Sequence, residues 1–413
     1  MNLLITPAPL RGMITPPPSK SQAHRLLIAA ALAGGASVIS NLALSQDISA
    51  TLACMEQLGA ESNLTEGVLT LQGMGANAMS PNRRLALPML DCGESGSTLR
   101  FLIPVALAVR GGASFTGRGR LMERPQQPYF DLFDQKGISY AQNGGVLTVS
   151  GRLEAGEYAL RGDVSSQFIT GLLYALPLLD GDSTVRVTTP LESKDYVTMT
   201  LDALALFGIT VEQTDERTFH IPGNQSYQPR SLAVEADWSQ AGFWYAAKGM
   251  GNAVDICGMN EASLQGDRAV AEVVRQIAAP CAARTVSVAQ IPDLVPPLAA
   301  LAALSEGITV LTDGARLRIK ESDRLAAVHS VLTALGGDVT EGEDSLTIVG
   351  KPLLKGGQTV DSHNDHRIAM MTAIAATRCE QPVLLTGAEC VKKSYPDFWA
   401  DYARLGGQFR EVF

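Results

Sequence analysis

An amphipathic helix that stops at a glycine, followed by two short strands around a tight turn, recurs along this chain and sets the strongest limit on its fold. Ile48, Leu52, Met55 and Leu58 lead to Gly59, with strands expected over 61–64 and 68–72. Phe130 and Phe133 lead to Gly137, with strands over 138–141 and 146–150. Val197, Leu201, Leu204 and Phe207 lead to Gly208, with strands over 209–213 and 218–221. Leu332 and Leu335 lead to Gly336, with strands over 338–340 and 346–349. Each glycine fits the position just past a helix C-terminus, where a left-handed backbone is needed and a side chain would clash. Gly59, Gly137 and Gly208 recur at intervals of roughly 70 residues, Gly336 follows at about twice that, and Gly406 ends one more interval. The skipped copy falls near Ile277, where 273–280 has a helical pattern but lacks the glycine. About six units of ~70 residues fill the length, which is too long for the common solenoid periods. The pattern calls for an α/β (α+β) protein built from repeats.

Two proline-rich segments divide these units, Thr15-Pro16-Pro17-Pro18 and 222–229. Three units lie between them and three follow, so the expectation is two similar lobes joined by two crossings, with a ligand cleft that closes by hinge motion. The 413 residues leave ample room for two cores. A net charge of −9 argues against a nucleic-acid or acidic-membrane surface. The six cysteines (Cys54, Cys92, Cys257, Cys281, Cys379, Cys390) show no C-x-x-C pair and read as reduced thiols. Prolines interrupt the N-terminus where a signal peptide would need an apolar run, and no segment reaches the ~20 apolar residues of a bilayer span. A soluble, cytoplasmic protein is expected.

Charge and small residues coincide at expected helix starts. Lys320-Glu321-Ser322-Asp323-Arg324 places two cations and a carboxylate at the mouth of a helix, with Ser322 or Asp323 as its cap and Leu325, Val328, Leu332 and Leu335 on its apolar face. Free N–H groups there already favour anions. Lys20-Ser21 precedes the helical run 25–33, and Gly93-Glu94-Ser95-Gly96-Ser97-Thr98 precedes 99–109. Ser165-Ser166-Gln167 opens a third helix and Asn364-Asp365-His366-Arg367 a fourth, while Lys392-Lys393-Ser394-Tyr395-Pro396 lies before the last one. Each segment taken singly is also a routine cap. His363 and His366 lack a third partner, so a metal site is not expected. Walker, H-E-x-x-H and G-x-S-x-G patterns are absent, which removes support for P-loop nucleotide, protease and esterase chemistry. What the segments share is oxyanion binding at helix N-termini.

Together these motifs, spread in order from Pro18 to Pro396, resemble those of the 5-enolpyruvylshikimate-3-phosphate synthase family of enolpyruvyl transferases. The resemblance implies a two-lobed inside-out α/β barrel of six βαβαββ repeats, three per lobe. It implies that residues 1–15 and 228–413 form the phosphoenolpyruvate-side lobe and 16–227 the shikimate 3-phosphate-side lobe. The implied reaction joins phosphoenolpyruvate to the 5-hydroxyl of shikimate 3-phosphate and releases phosphate, by addition and elimination through a tetrahedral intermediate, with no cofactor and no metal. Carried over, Lys20, Gly96, Arg124, Gln167, Arg324, Arg367 and Lys393 match positions holding phosphoenolpyruvate. Lys20, Ser21, Arg25, Ser165, Ser166, Gln167, Ser193, Tyr196, Asp293 and Lys320 match positions around shikimate 3-phosphate. Asp293 matches the carboxylate acting on the 5-hydroxyl, and Glu321, helped by Lys20, the group that protonates and later deprotonates the methylene carbon. The resemblance also implies a monomer that admits the inhibitor glyphosate beside Gly96.

Charge supports that assignment. The two substrates together bring roughly −5 to −6, and desolvating it without partners costs many kcal/mol. Lys20, Arg25, Arg124, Lys320, Arg324, Arg367 and Lys393 approximately match it, and arginine supplies planar forks for carboxylate and phosphate. Two positions depart from the commonest family pattern, Glu94 and Arg316, where asparagine is frequent; Glu94 is expected to turn away or pair with an arginine. The rival enolpyruvyl transferase that uses UDP-N-acetylglucosamine carries a reactive cysteine in a loop that here, over 115–125, has none. A non-catalytic phosphometabolite binder would need the cations but not Asp293 and Glu321 together.

Overall fold

A computed structural model describes residues 1–75 and 86–412. The chain divides into two compact units, Met1–Pro17 with Ala236–Phe413, and Pro18–Glu235. Each has its own apolar core. The strand Ser231–Ala233 pairs with Ala36–Ser40, so the chain stays with the second unit beyond the proline-rich segment 222–229.

The repeat is written in the sheets. Met89–Asp91, helix Gly96–Arg110, Gly112–Thr116, helix Gln127–Lys136, and the hairpin Ser139–Asn143 and Val146–Ser150 form one βαβαββ unit. Its first two strands are parallel, and the hairpin then adds antiparallel through its second strand. The same order and pairing recur from Glu157–Leu160 to Thr218–Ile221 and from Ala283–Ser287 to Leu346–Val349. Two further copies are completed by distant chain. Ser231–Ala233 supplies the leading strand beside Ala36–Ser40, and Asn2–Thr6 lies between Val383–Thr386 and Gln408–Val412. Among the described residues this gives five four-stranded sheets of one topology.

The sixth copy is truncated. Arg11–Ile14 and Ala253–Ile256 form a parallel pair with helix Trp238–Gly249 between them in the repeat, and helix Val270–Ala278 follows. No hairpin comes next; the chain runs on to Ala283–Ser287, the leading strand of another sheet. This is the copy without a glycine. Ala279 leaves its helix at φ −69° and ψ 137°, whereas Gly59, Gly137, Gly208, Gly336 and Gly406 all have φ between +66° and +121°. The left-handed residue turns the chain back into a hairpin, and an extended alanine sends it onward.

Within each repeat the two helices differ in burial. Lys20–Leu32, Gly96–Arg110 and Ser166–Ala175 are buried on nearly every face, as are Trp238–Gly249, Val295–Ala302 and His366–Ala376. A helix apolar all round belongs inside, and its first N–H groups then need partners. Ser19, Ser95, Ser165, Asp237 and Asp365 each accept from a backbone N–H within the first turn of their helix. Polar residues therefore gather at the N-termini of otherwise apolar helices, where the expected site residues lie. No helix among the described residues is long and apolar enough to cross a membrane.

Candidate active site

In the unit formed by Met1–Pro17 and Ala236–Phe413, one guanidinium organises the site. Arg324 is the first residue of helix Arg324–Ala334, which Asp323 caps, and its side chain is 1% exposed. Its Nη1 donates to Asp293 Oδ1 at 2.9 Å, its Nη2 to Glu321 Oε2 at 2.6 Å, and its Nε to Asp365 Oδ2 at 2.9 Å. Asp365 is itself fully buried; it accepts from Ser322 Oγ at 3.0 Å and, as a helix cap, from the Arg367 N–H at 2.9 Å. Arg367 reaches back to Asp293 with Nη2 on Oδ2 at 3.0 Å and Nη1 on the carbonyl at 3.1 Å. Lys320 Nζ stands 3.9 Å from Asp293 Oδ1. Buried charge survives only when paired and hydrogen-bonded, and here each cation meets a carboxylate.

These contacts set the protonation states. Burial pushes the Asp293 carboxyl up, but Arg367, Lys320 and Arg324 together outweigh it and hold the group well below the usual carboxylate range. Burial lowers Lys320 to about 8, with Arg316 and Arg324 adding to the shift and Asp293 and Glu321 opposing it. Arg324 moves upward: burial disfavours its charge, and Asp365, Glu321 and Asp293 more than compensate. Asp267, buried in the same unit, is pushed up to about 7 by burial and by the charge of Asp293, with Arg367 opposing. Two buried carboxyls, one of which feels the other's charge, are thus driven in opposite directions, a pattern common where protons are handled.

The other expected residues of this unit lie beside the cluster in sequence or by contact. Lys393 is buried, and its Nζ donates to the Asn364 carbonyl at 2.6 Å. His363 and Asn364 both have left-handed backbones just before the Asp365 cap. Arg316 donates from Nη2 to the Ala289 carbonyl at 2.6 Å. His366 is buried at the helix start, and among the described residues no group of three or more His, Cys, Asp or Glu is arranged for a metal ion.

The unit Pro18–Glu235 holds the remaining expected residues. Lys20 opens its helix and its Nζ pairs with Asp47 Oδ2 at 2.7 Å. Arg25 is buried and donates to Thr200 Oγ1, to the Ser21 carbonyl and to the Tyr196 carbonyl at 3.0, 2.6 and 2.8 Å. Ser21, Arg25 and Tyr196 are therefore brought together by one side chain. Ser193 precedes helix Lys194–Leu206 with φ 53° and ψ 47°, a strained backbone for a serine of the kind that clusters at functional sites. Ser165 caps the helix that Ser166 and Gln167 begin. The Gln167 amide is fixed at both ends: Nε2 donates to Ser97 Oγ at 2.9 Å and Oε1 accepts from Arg100 Nη1 at 2.9 Å. Gly96 lies against Arg124, because a Cβ there would stand 2.7 Å from Arg124 Nη1. The Glu94 carboxylate packs on the Gly119 backbone, where a Cβ would meet Oε2 at 2.6 Å.

Asp47 and Arg100 are partners outside the segments that the sequence pointed to, whereas Ser322 and Asp365 lie inside them, Ser322 as a candidate cap and Asp365 with no role of its own. Arg100 carried a signal, since it interrupts the apolar run Leu99, Phe101, Leu102 and Ile103, and a buried arginine needs acceptors. Asp47 carried none, being one of several acidic residues at helix starts.

The EPSP synthase (3-phosphoshikimate 1-carboxyvinyltransferase) family model matches residues 4–402. The curated 3-phosphoshikimate 1-carboxyvinyltransferase of Clostridium kluyveri is 44% identical, covering 98% of each chain. That of Clostridium perfringens (strain 13 / Type A) is 43% identical, covering 99% of each. Among solved structures, an EPSP synthase from Acinetobacter baumannii matches with a TM-score of 0.80 and 26% identity over 99% of both chains. Sequence, topology and the paired carboxylates lead to one assignment: the chain belongs to the EPSP synthase family.

Proposed function

We propose that this protein transfers the enolpyruvyl group of phosphoenolpyruvate to the 5-hydroxyl of shikimate 3-phosphate and releases phosphate. The observation that carries the reading is the pairing of Asp293 and Glu321 on the single guanidinium of Arg324. An anion binder needs Arg324 and Arg367 but has no use for two carboxylates in direct contact with them.

Lys20, Gly96, Arg124, Gln167, Arg324, Arg367 and Lys393 would hold phosphoenolpyruvate. Lys20, Ser21, Arg25, Ser165, Ser166, Gln167, Ser193, Tyr196, Asp293 and Lys320 would hold shikimate 3-phosphate. Asp293 takes the proton of the 5-hydroxyl as its oxygen attacks C2 of phosphoenolpyruvate, and Glu321, with Lys20, delivers a proton to C3. Glu321 then removes a proton from the resulting methyl group as the bond from C2 to the phosphate oxygen breaks, and the proton held by Asp293 passes to the departing phosphate. An aspartate held strongly ionised is a weak base, so substrate anions have a second task. By sharing Arg324, Arg367 and Lys320 they loosen the grip on both carboxylates and raise their basicity. The reading includes action as a cytoplasmic monomer without a cofactor, and competition by glyphosate beside Gly96.

A phosphate-release assay tests it. Release from phosphoenolpyruvate is expected with shikimate 3-phosphate and not with UDP-N-acetylglucosamine. Release with the nucleotide sugar alone would assign the rival transferase, and no release with either would leave a binding protein.

A further inference from the structure

Lys320 and Glu321 ride on an arc of chain between the turn Ala315–Ile319 and the helix Arg324–Ala334. Arg318, at the upstream end of that arc, has no part in the reaction proposed above, yet its guanidinium is saturated. Its Nη1 donates to Asp323 Oδ1 and Oδ2 at 3.2 and 3.0 Å and to Glu341 Oε1 at 2.8 Å. Its Nη2 donates to the Gly342 carbonyl at 2.7 Å and its Nε to the Glu343 carbonyl at 2.8 Å. Asp323 closes the downstream end of the arc and caps the helix by accepting from the Ala326 N–H at 3.2 Å. Both ends of 319–322 are thereby tied to each other and to the turn that follows strand Asp338–Glu341.

The Arg318, Asp323 and Glu341 side chains are half-buried, at 30%, 38% and 23% exposed, so solvent screens part of the charge attraction in this network. Five acceptors around one planar fork do fix geometry, which a lysine ammonium cannot reproduce. Within the arc, Glu321 reaches Arg324 at 2.6 Å and Lys320 stands 3.9 Å from Asp293. A catalytic pair on a loose loop loses rate steeply with small misplacement.

We infer that Arg318 is a positioning residue, clamping both ends of the arc so that Lys320 and Glu321 are presented to Asp293 and Arg324. This rests on the role proposed above for Glu321. The test is a double-mutant cycle with Glu321→Gln, read as phosphate release and corrected for folded fraction. Arg318→Ala is expected to lower kcat at least ~10-fold in the wild-type background and less than ~2-fold once Glu321 is already glutamine, because residues acting as a unit are not additive. Arg318→Lys should fall between. Equal factors in both backgrounds would overturn the inference. Should Arg318→Ala fail to fold, Arg318→Lys serves in its place. Hydrogen exchange then gives a readout that needs no substrate: amides of 319–322 should exchange faster in Arg318→Lys than in wild type, while the helix His366–Ala376 stays protected. Unchanged exchange across the arc would also overturn it. Wild-type protein that releases no phosphate would instead reject the functional reading, and the exchange data would still judge the clamp.

Discussion

Lys320 shows how burial and charge set a working pH for one side chain. Its ammonium is lowered to about 8 because burial and the nearby Arg316 and Arg324 outweigh Asp293 and Glu321. The charged form is the one that grips an anion, so kcat/KM for shikimate 3-phosphate should fall as pH rises through about 8. Lys320→Arg should remove that basic limb; a limb that stays in place would assign it to another group. The sign for stability is opposite. Between about 8 and an ordinary lysine's 10.5 the unfolded chain holds this proton and the folded one does not, so this group alone favours folding more as pH rises. Asp293 has the same sign of slope in a lower window: its depressed carboxyl contributes stability above an ordinary aspartate's 3.8 that is lost as pH falls below it. Gly96 makes a steric rather than an electrostatic point. An added methyl would meet Arg124 Nη1 at 2.7 Å, and a guanidinium is flexible enough to move. Gly96→Ala should therefore fold normally and raise KM for phosphoenolpyruvate on the order of tenfold, the equivalent of about 1.4 kcal/mol. An unchanged KM would show that Arg124 is not tuned by this contact.

Helix ends decide the topology at the scale of elements. The terminal glycines were legible because each closes an amphipathic run, and all five have the positive φ that the pattern requires. Gly137 isolates the backbone contribution, since its φ is +66° and a Cβ there would meet nothing within 4 Å. Gly137→Ala should cost about 1–2 kcal/mol in denaturant unfolding, and Gly137→Asn less, because asparagine tolerates the left-handed region. Equal and negligible costs would mean that the glycine is not needed to turn the chain. The same logic explains Ile277. Its helix lacks the glycine, and the hairpin is lacking too, which the spacing had presented only as a skipped copy. Strand limits were less legible where side chains are exposed: Glu212–Asp215 begins later than the expected 209 because its four residues are all exposed and no burial pattern marks its start.

At the scale of the whole molecule, local pattern gave the repeat but not its closure. Ser231–Ala233 beside Ala36–Ser40, and Asn2–Thr6 beside Gln408–Val412, are pairings between remote stretches with no periodicity to announce them. The site was legible where charge breaks into a helix start, as at Lys320 to Arg324 and Asn364 to Arg367. It was not legible where the partner lies outside those segments, as with Asp47. A chain of net charge −9 that is to bind two polyanions must concentrate its cations locally, and the contacts of Arg324, Arg367 and Lys320 do so around carboxylates. The central claim is that the carboxylates move protons, Asp293 from the 5-hydroxyl oxygen and Glu321 to and from carbon, rather than merely balance charge. Turnover of phosphoenolpyruvate and shikimate 3-phosphate in D2O, followed by mass spectrometry of the product, tests it most directly. Wild-type protein should place deuterium in the transferred methylene group, and Glu321→Gln should bind both substrates yet lose turnover by about 10²–10⁴-fold. A product free of deuterium, or a glutamine variant as fast as wild type, would contradict the account.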